Sequence, residues 1–317
     1  MKTGGMKTAG LKVVIALGGN ALLERGEAPD SDIQERHVVS AVTALAPLAR
    51  RHQLFITHGN GPQVGVLALE SARDPALSHP YPFDVLGAQT QGMIGYWLVQ
   101  ALHDAVPSQP AGCLLSRTLV RADDPAFARP TKFVGPVYNA ARAQQLAAER
   151  GWAVREDGNA WRRVVPSPEP VALVELDMIK LLAGSGVLVV CAGGGGIPVV
   201  RDDTGVLRGV EAVVDKDLTA ALLGRDLGAG ALVILTDVDA VEDGYGTPQA
   251  RPIHRATPEE LRTRTFPAGS MGPKVEAACR FVEATGGMAA IGRLDDAEAL
   301  LDGKAGTIVA PADARFP

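Results

Sequence analysis

Apolar residues along this chain fall into two alternating textures. Short, almost wholly apolar runs recur: KVVIAL at 12–17, LFIT at 54–57, VLVVC at 187–191 and ALVILT at 231–236. Runs of this length and purity predict strands buried on both faces. Between them the apolar positions spread to helical spacing. Ile33, His37, Val38, Ala41, Leu45 and Leu48 predict a helix over 33–50. Helices are likewise predicted after Pro62 and over 84–106, 175–183, 218–227 and 271–284, with further strands at 113–120, 287–291 and 307–310. GVLRGVEAVVDKD reads as a hairpin followed by a strand-to-helix junction. Strands alternating with helices imply an α/β fold, with a mainly parallel, open sheet carrying helices on both faces.

The rhythm breaks between residues 121 and 170, where prolines, charges and three-residue apolar fragments intermix. A structureless loop of that length is uncommon in a compact domain. The segment is therefore expected to be a small inserted subdomain, with a few strands protruding from a main domain spanning 11–317.

Bulk composition narrows the function. The 317 residues are 46% hydrophobic, 21% charged and only 4% aromatic, which suits a large aliphatic core. A net charge of −5 and the lack of a basic patch exclude nucleic acid as an expected partner. Cys113, Cys191 and Cys279 are widely spaced in apolar surroundings, so buried free thiols in a reducing cytoplasm are expected rather than a zinc site. No apolar run approaches a membrane span. The opening MKTGGMKTAG lacks a signal peptide's apolar core and reads as a disordered lead-in at 1–10.

Three strands run into glycine-rich turns: ALGGNAL, THGNGPQVG and CAGGGGIPVV. In an open parallel sheet, ligands gather at the carboxyl ends of strands, so the three loops should share one edge. Bare backbone N–H groups there suit an anion. None of the loops fits a P-loop or a dinucleotide fingerprint. The chain has only eight lysines among its 31 basic residues. Three of them, Lys132, Lys216 and Lys274, stand at turns or helix starts beside glycine, proline or aspartate. A lysine is a compact charge that can approach a phosphoryl group, and with the anion-binding loops these three point to phosphate chemistry. Asp215 and Asp217 flank Lys216, and Asp237 and Asp239 follow the 231–236 strand, where a nucleotide could be held. His58 is a candidate by position alone.

These motifs occur in a recognisable order. ALGGNAL, HGNGPQVG, PTKFVGPVY, RRVVPSPEP, AGGGGIPVV, GVEAVVDKDL, LTDVDAV and AGSMGPKV resemble those of the carbamate kinases, in the amino acid kinase superfamily. The resemblance implies a three-layer αβα sandwich and interconversion of ATP plus carbamate with ADP plus carbamoyl phosphate. Mg²⁺ would accompany ATP or ADP. It also implies a homodimer with residues 84–106 near its interface, and a role in arginine breakdown toward ATP. On that likeness Gly59, Asn60 and Gly61 would bind carbamate, while Gly18, Gly19 and Asn20 would hold the transferring phosphoryl group. Gly194 and Gly195 would lie against the small substrate. Lys132 and Lys216 would neutralise the phosphoryl oxygens, with Asp217 orienting the lysines. Thr236, Asp237, Val238, Tyr245, Met271, Gly272 and Lys274 would surround the nucleotide; no metal-ligand set is implied. Many relatives carry a lysine two residues before the paired glycines, where this chain has Ala16, so Lys132 is expected to supply the missing charge. The rival readings are a superfamily kinase with a larger acceptor and an inactive nucleotide-binding regulator.

Overall fold

The computed structural model describes residues 10–312 apart from Arg25 and Ala268. The expected lead-in therefore lies, except for Gly10, outside the described residues.

Lys12–Leu17 is the central strand of an eight-stranded sheet. It pairs in parallel with Gln53–His58 on one side and with Ala231–Thr236 on the other. Leu188–Val190 and then Ala111–Cys113 extend the first side. Met288–Arg293, Thr307–Val309 and Arg255–Ala256 extend the second, and the pairing of Met288–Arg293 with Thr307–Val309 is antiparallel.

Side chains alternate across this sheet, which makes it the middle of three layers. Ile15 and Leu17 point to one face, against the helices Ser31–Arg51 and Phe83–Ala105. Val14 and Ala16 point to the other, against Lys216–Leu227 and Met271–Thr285. All four are fully buried. Burying a large aliphatic side chain contributes about 1.5–3 kcal/mol, so a strand apolar on both faces is anchored twice. At Gly224 a Cβ would meet Phe281 at 2.7 Å, so a side chain there would push the two helices apart.

The expected strand at 113–120 divides. Ala111–Cys113 closes the main sheet, while Arg117–Leu119 joins a four-stranded sheet with Ile197–Arg201, Leu207–Gly209 and Ala172–Leu173. Leu207–Gly209 forms the expected hairpin with Ile197–Arg201. Arg117–Leu119 and Ala172–Leu173 pair antiparallel and bracket the residues between them. That bracketed segment carries its own antiparallel sheet of Lys132–Tyr138, Ala160–Val165 and Ala153–Asp157, together with the helix Ala140–Arg150. Asn139 caps this helix by accepting from Arg142 N–H at 2.8 Å, and Gly151 ends it in the left-handed conformation.

The inserted sheet meets the body through a small apolar cluster of Val134 and Val165 with Val64, Phe83 and Leu86. The Arg163 guanidinium lies 4.8 Å from the Phe83 ring and 4.6 Å from the Trp152 ring. It also donates to Glu211 at 2.9 Å, and Glu211 in turn accepts from Phe83 N–H at 2.8 Å. Elsewhere a cleft of about 1530 Å³ separates the insertion from the Met271–Thr285 helix. Among the described residues, no helix is long and apolar enough to cross a membrane.

Candidate active site

The loops that follow three neighbouring strands converge at their carboxyl ends. Gly18 N–H donates to Leu235 O, and Gly59 N–H donates to Leu17 O, each at 2.9 Å. Each loop thus leaves its strand still tied to the next. A Cβ on Gly59 would stand 2.9 Å from Gly19 N, so the first two loops can lie back to back only because residue 59 is glycine. Gly18, Gly19, Gly59, Asn60, Gly61 and Gly194 all line one cavity of about 300 Å³. Asn20 follows Gly19 in the Gly19–Ala21 turn, where only its backbone is described.

The four glycines of 193–196 do less substrate-facing work than the sequence suggests. A Cβ on Gly193 would fall 2.2 Å from His58 Nε2, and one on Gly194 would fall 2.3 Å from Asn60 Nδ2. On Gly195 it would meet Val214 O at 2.3 Å, and on Gly196 Thr118 Oγ1 at 1.9 Å. The missing side chains make room for the protein itself. Gly194 alone of the four lines the cavity. Gly195 turns its carbonyl to the hydroxyls of Thr118 and Thr219, at 2.7 and 3.0 Å.

Opposite the glycines stand the lysines. Asp215 caps the Lys216–Leu227 helix, with Oδ1 accepting from Asp217 N–H at 2.9 Å and Leu218 N–H at 3.3 Å. The cap fixes the first turn and with it the two residues that follow. Asp217, 4% exposed, accepts from Lys216 through one oxygen and from Lys274 through the other, the latter at 2.9 Å. Lys274 comes from the first turn of the Met271–Thr285 helix, so one carboxylate joins two helix starts. Burial pushes the Asp217 carboxyl up, but the two ammoniums outweigh it and hold it well below the usual carboxylate range. Burial draws Lys216 down to about 8, against the pull of Asp217, and Lys274 lowers it further. Burial also opposes charge on Lys274, yet Asp217 holds that lysine above its ordinary value.

Lys132 reaches the cavity from the first strand of the inserted sheet and donates to Asp215 Oδ2 at 2.8 Å. Its side chain is 40% exposed, against 12% for Lys216 and 14% for Lys274. Buried His58, whose Nδ1 bonds Gly59 O at 3.0 Å, backs the same floor. Burial drops its pKa to about 4 despite that carbonyl, and the Lys216 charge adds to the fall, so the ring is neutral at ordinary pH.

A second cavity of about 800 Å³ adjoins the first across Thr236, Asp237, Ser270 and Lys274, which line both. Val238, Tyr245 and Met271 line it as well, with Tyr245 standing exposed. Gly272 does not: its N–H donates to Pro267 O at 2.9 Å, and it faces the larger cleft below the insertion. Sequence reasoning assigned no role to Phe133 and Val134, which wall the smaller cavity from the insertion. Nor did it single out the buried polar side chains of Gln91, Ser116, Thr118 and Thr219 that hold the third glycine loop. A glutamine within an apolar helical stretch is a signal that could have drawn attention to Gln91.

A chamber of about 300 Å³ that meets three lysines on two aspartates, beside a larger chamber, is an arrangement whose charge and shape suit phosphoryl transfer. The amino acid kinase family's sequence profile matches residues 12–291, and the chain belongs to that family. It is 52% identical over 303 residues to a carbamate kinase of Rhizobium meliloti, covering 94% of this chain and 93% of that one. It is 50% identical over 297 residues to the carbamate kinase of Escherichia coli K12, covering 94% and 98%. The solved carbamate kinase from Giardia lamblia bound to AMP-PNP superposes with a TM-score of 0.87 at 41% identity, covering 95% of this chain and 99% of the other. The likeness read from the sequence motifs thus extends over nearly the whole chain, and the three-layer fold is that of these relatives.

Proposed function

We propose that this chain interconverts ATP plus carbamate with ADP plus carbamoyl phosphate. The observation that carries the reading is the Asp217 constellation: two half-buried lysines share its carboxylate and face the small chamber, where a phosphoryl group would pass, and Lys274 also lines the larger one.

The nucleotide occupies the larger chamber, with its terminal phosphate directed past Thr236 and Lys274 into the smaller one. Carbamate lies by Gly59, Asn60 and Gly61. One of its carboxylate oxygens forms the new bond to the γ-phosphorus as the bond to the β-phosphate oxygen breaks. That oxygen leaves with the bonding electron pair, on ADP. No proton has to move in the transfer itself. Such a loose transfer needs positioning and positive charge more than a covalent catalyst. Lys216 and Lys274 are held ready by Asp217, and Lys132 comes from the insertion. Ala16 contributes no charge beside the first loop, which leaves that work to Lys132.

The donor set suits Mg²⁺ carried with the nucleotide. Among the described residues, no group of three or more His, Cys, Asp or Glu side chains could cage a metal. Mg²⁺ commonly uses one or two carboxylates plus substrate phosphates, and Asp237 lines both chambers. When bound, the ion would neutralise charge on the β- and γ-phosphates.

The reading extends to a cytoplasmic homodimer that forms ATP during arginine breakdown. It puts residues 84–106 near the interface, a reading with which the 64% exposure of Tyr96 in that stretch agrees. Light scattering on the purified chain tests the dimer. The deciding assay is ATP formation from carbamoyl phosphate and ADP, run beside acetylglutamate, aspartate and UMP as alternative acceptors with ATP. Turnover of one of those three but not of carbamoyl phosphate defeats the proposal. ADP binding by calorimetry with no turnover of any kind would mark a regulator instead.

A further inference from the structure

The loop of 192–196 has an improbable backbone. Ala192, which is not glycine, has a φ of 52°, and Gly194, Gly195 and Gly196 follow at 64°, 87° and 90°. A non-glycine residue in the left-handed region is strained and persists only where its surroundings fix it. Beyond the short Gly193–Gly195 turn, no regular helix or strand ladder runs through this stretch. Its shape has to be imposed from outside.

Two anchors impose it. At the far end, the Thr118 and Thr219 hydroxyls hold the Gly195 carbonyl. At the near end stands Gln91, 1% exposed, on the Phe83–Ala105 helix. Its Nε2 donates to Gly193 O at 2.9 Å and to Ser116 O at 3.1 Å, while its Oε1 accepts from Ser116 N–H at 2.8 Å. The carboxamide thus grips the Ser116 backbone at both its N–H and its carbonyl. Ser116 Oγ in turn accepts from Ala192 N–H at 3.1 Å. One side chain therefore fixes two successive residues of the loop, Ala192 through Ser116 and Gly193 directly. Between the two anchors lies Gly194, the residue that reaches the phosphoryl cavity. None of Gln91, Ser116, Thr118 and Thr219 lines either substrate chamber.

We propose that Gln91 is a positioning residue for phosphoryl transfer: by gripping Ser116 and Gly193 it sets where the Gly194 backbone stands, without touching substrate. An apolar side chain of similar length would keep the packing but lose all three bonds. The loop would then be free to relax from its strained conformation, and Gly194 would shift against the acceptor. The nucleotide chamber, lined by other segments, would be unaffected.

This inference rests on the phosphotransferase reading above, and the test keeps the two apart. Full-length wild type must make ATP from carbamoyl phosphate and ADP; if it does not, that reading fails before Gln91 is in question. Gln91→Met is then assayed in the same direction, with rates expressed per folded molecule from circular dichroism. Since a misplacement of 1 Å can cost two orders of magnitude, kcat should fall about 10-fold or more and KM for carbamoyl phosphate should rise by about as much, with KM for ADP within about twofold of wild type. Thr118→Val loosens the other anchor and should give the same split to a smaller degree, so it carries the test if Gln91→Met does not fold. A purely structural role would lower the folded fraction and leave every constant per folded molecule unchanged. That result, or equal shifts in both KM values, in whichever variant folds, overturns the proposal.

Discussion

The edge of the main sheet and the inserted sheet both bring lysine to the same cavity, and they hold it in opposite ways. On the body, Lys216 and Lys274 share a buried aspartate at the starts of two helices that are themselves locked into the core. On the insertion, Lys132 is 40% exposed, and its partner Asp215 belongs to the body. The insertion touches that body through a small apolar cluster and a few charged contacts, including Arg280 to Glu169 at 2.7 Å across the large cleft. In the proposed reaction, the fixed charge would meet the phosphoryl group in one geometry. The charge on the insertion would then be the one able to withdraw while the chamber admits and releases its contents.

Removing the fixed charge should have the largest effect. Lys216→Ala is expected to lower kcat about 10²–10³-fold, the usual cost of one stabiliser of transition-state charge. Calorimetry should show ADP affinity nearly unchanged, since the contact strengthens mainly as charge develops. A variant that turns over like wild type would take Lys216 out of the site. Asp217→Asn comes next, and it tests the carboxylate rather than the lysines. It leaves two buried ammoniums without their counter-charge, and breaking a buried pair in this way typically costs about 3–5 kcal/mol. Thermal unfolding should show a large drop in Tm along with lost turnover. A normal Tm with lost turnover would make Asp217 an orienting group with little structural weight.

Lys132→Ala should cost less than Lys216→Ala, about 10–10²-fold in kcat, because part of its charge is already screened by solvent. Its distinctive signature is in dynamics. Hydrogen exchange across 121–170 should slow when ADP and carbamoyl phosphate are both bound, and slow less in the variant. Exchange indifferent to ligands, with normal turnover, would reduce the insertion to scaffold.

The smallest effect is a divergence with pH. In the free enzyme Lys216 titrates near 8, below its ordinary 10.5. Between those values the unfolded chain binds more protons, so the stability contributed by this lysine rises with pH through the window and is lost as pH falls through about 8. Activity runs the other way, because the ammonium is the working form, and kcat should fall as pH rises past about 8. Urea unfolding and turnover followed over the same pH range check this. Two profiles that decline together would place the titration elsewhere.

The sheet could be read from sequence because purely apolar runs admit few alternatives. The residues Lys12–Leu17 and Ala231–Thr236 are strands over the expected spans. Periodicity could not show that the apolar stretch at 113–120 serves two sheets. The break falls at Leu114–Ser116, where Gln91 clamps Ser116 from a distant helix. The hairpin of Val241–Asp243 with Arg251–Ile253 escaped notice because its strands are three residues long and rich in charge. The lysines and glycine loops were legible as chemistry, since their residue types are unusual for their positions. The division of labour between Asp215 and Asp217 was not, because both stand beside Lys216 in the chain and only the helix turn separates their directions.

The glycine floor of the smaller chamber also bears on how the enzyme's acceptor range could change. Directed evolution widens a pocket by trimming side chains, and much of this floor has none to trim. Additions are blocked at three of its glycines as well: a Cβ would meet Leu235 O at 2.9 Å from Gly18, Gly19 N at 2.9 Å from Gly59 and Asn60 Nδ2 at 2.3 Å from Gly194. The adjustable wall is the insertion, where Phe133 and Val134 face the chamber on a sheet outside the main core. A library seeking a bulkier acceptor belongs at those two positions, and new specificity within this scaffold should arise in the insertion while the glycine loops stay as they are.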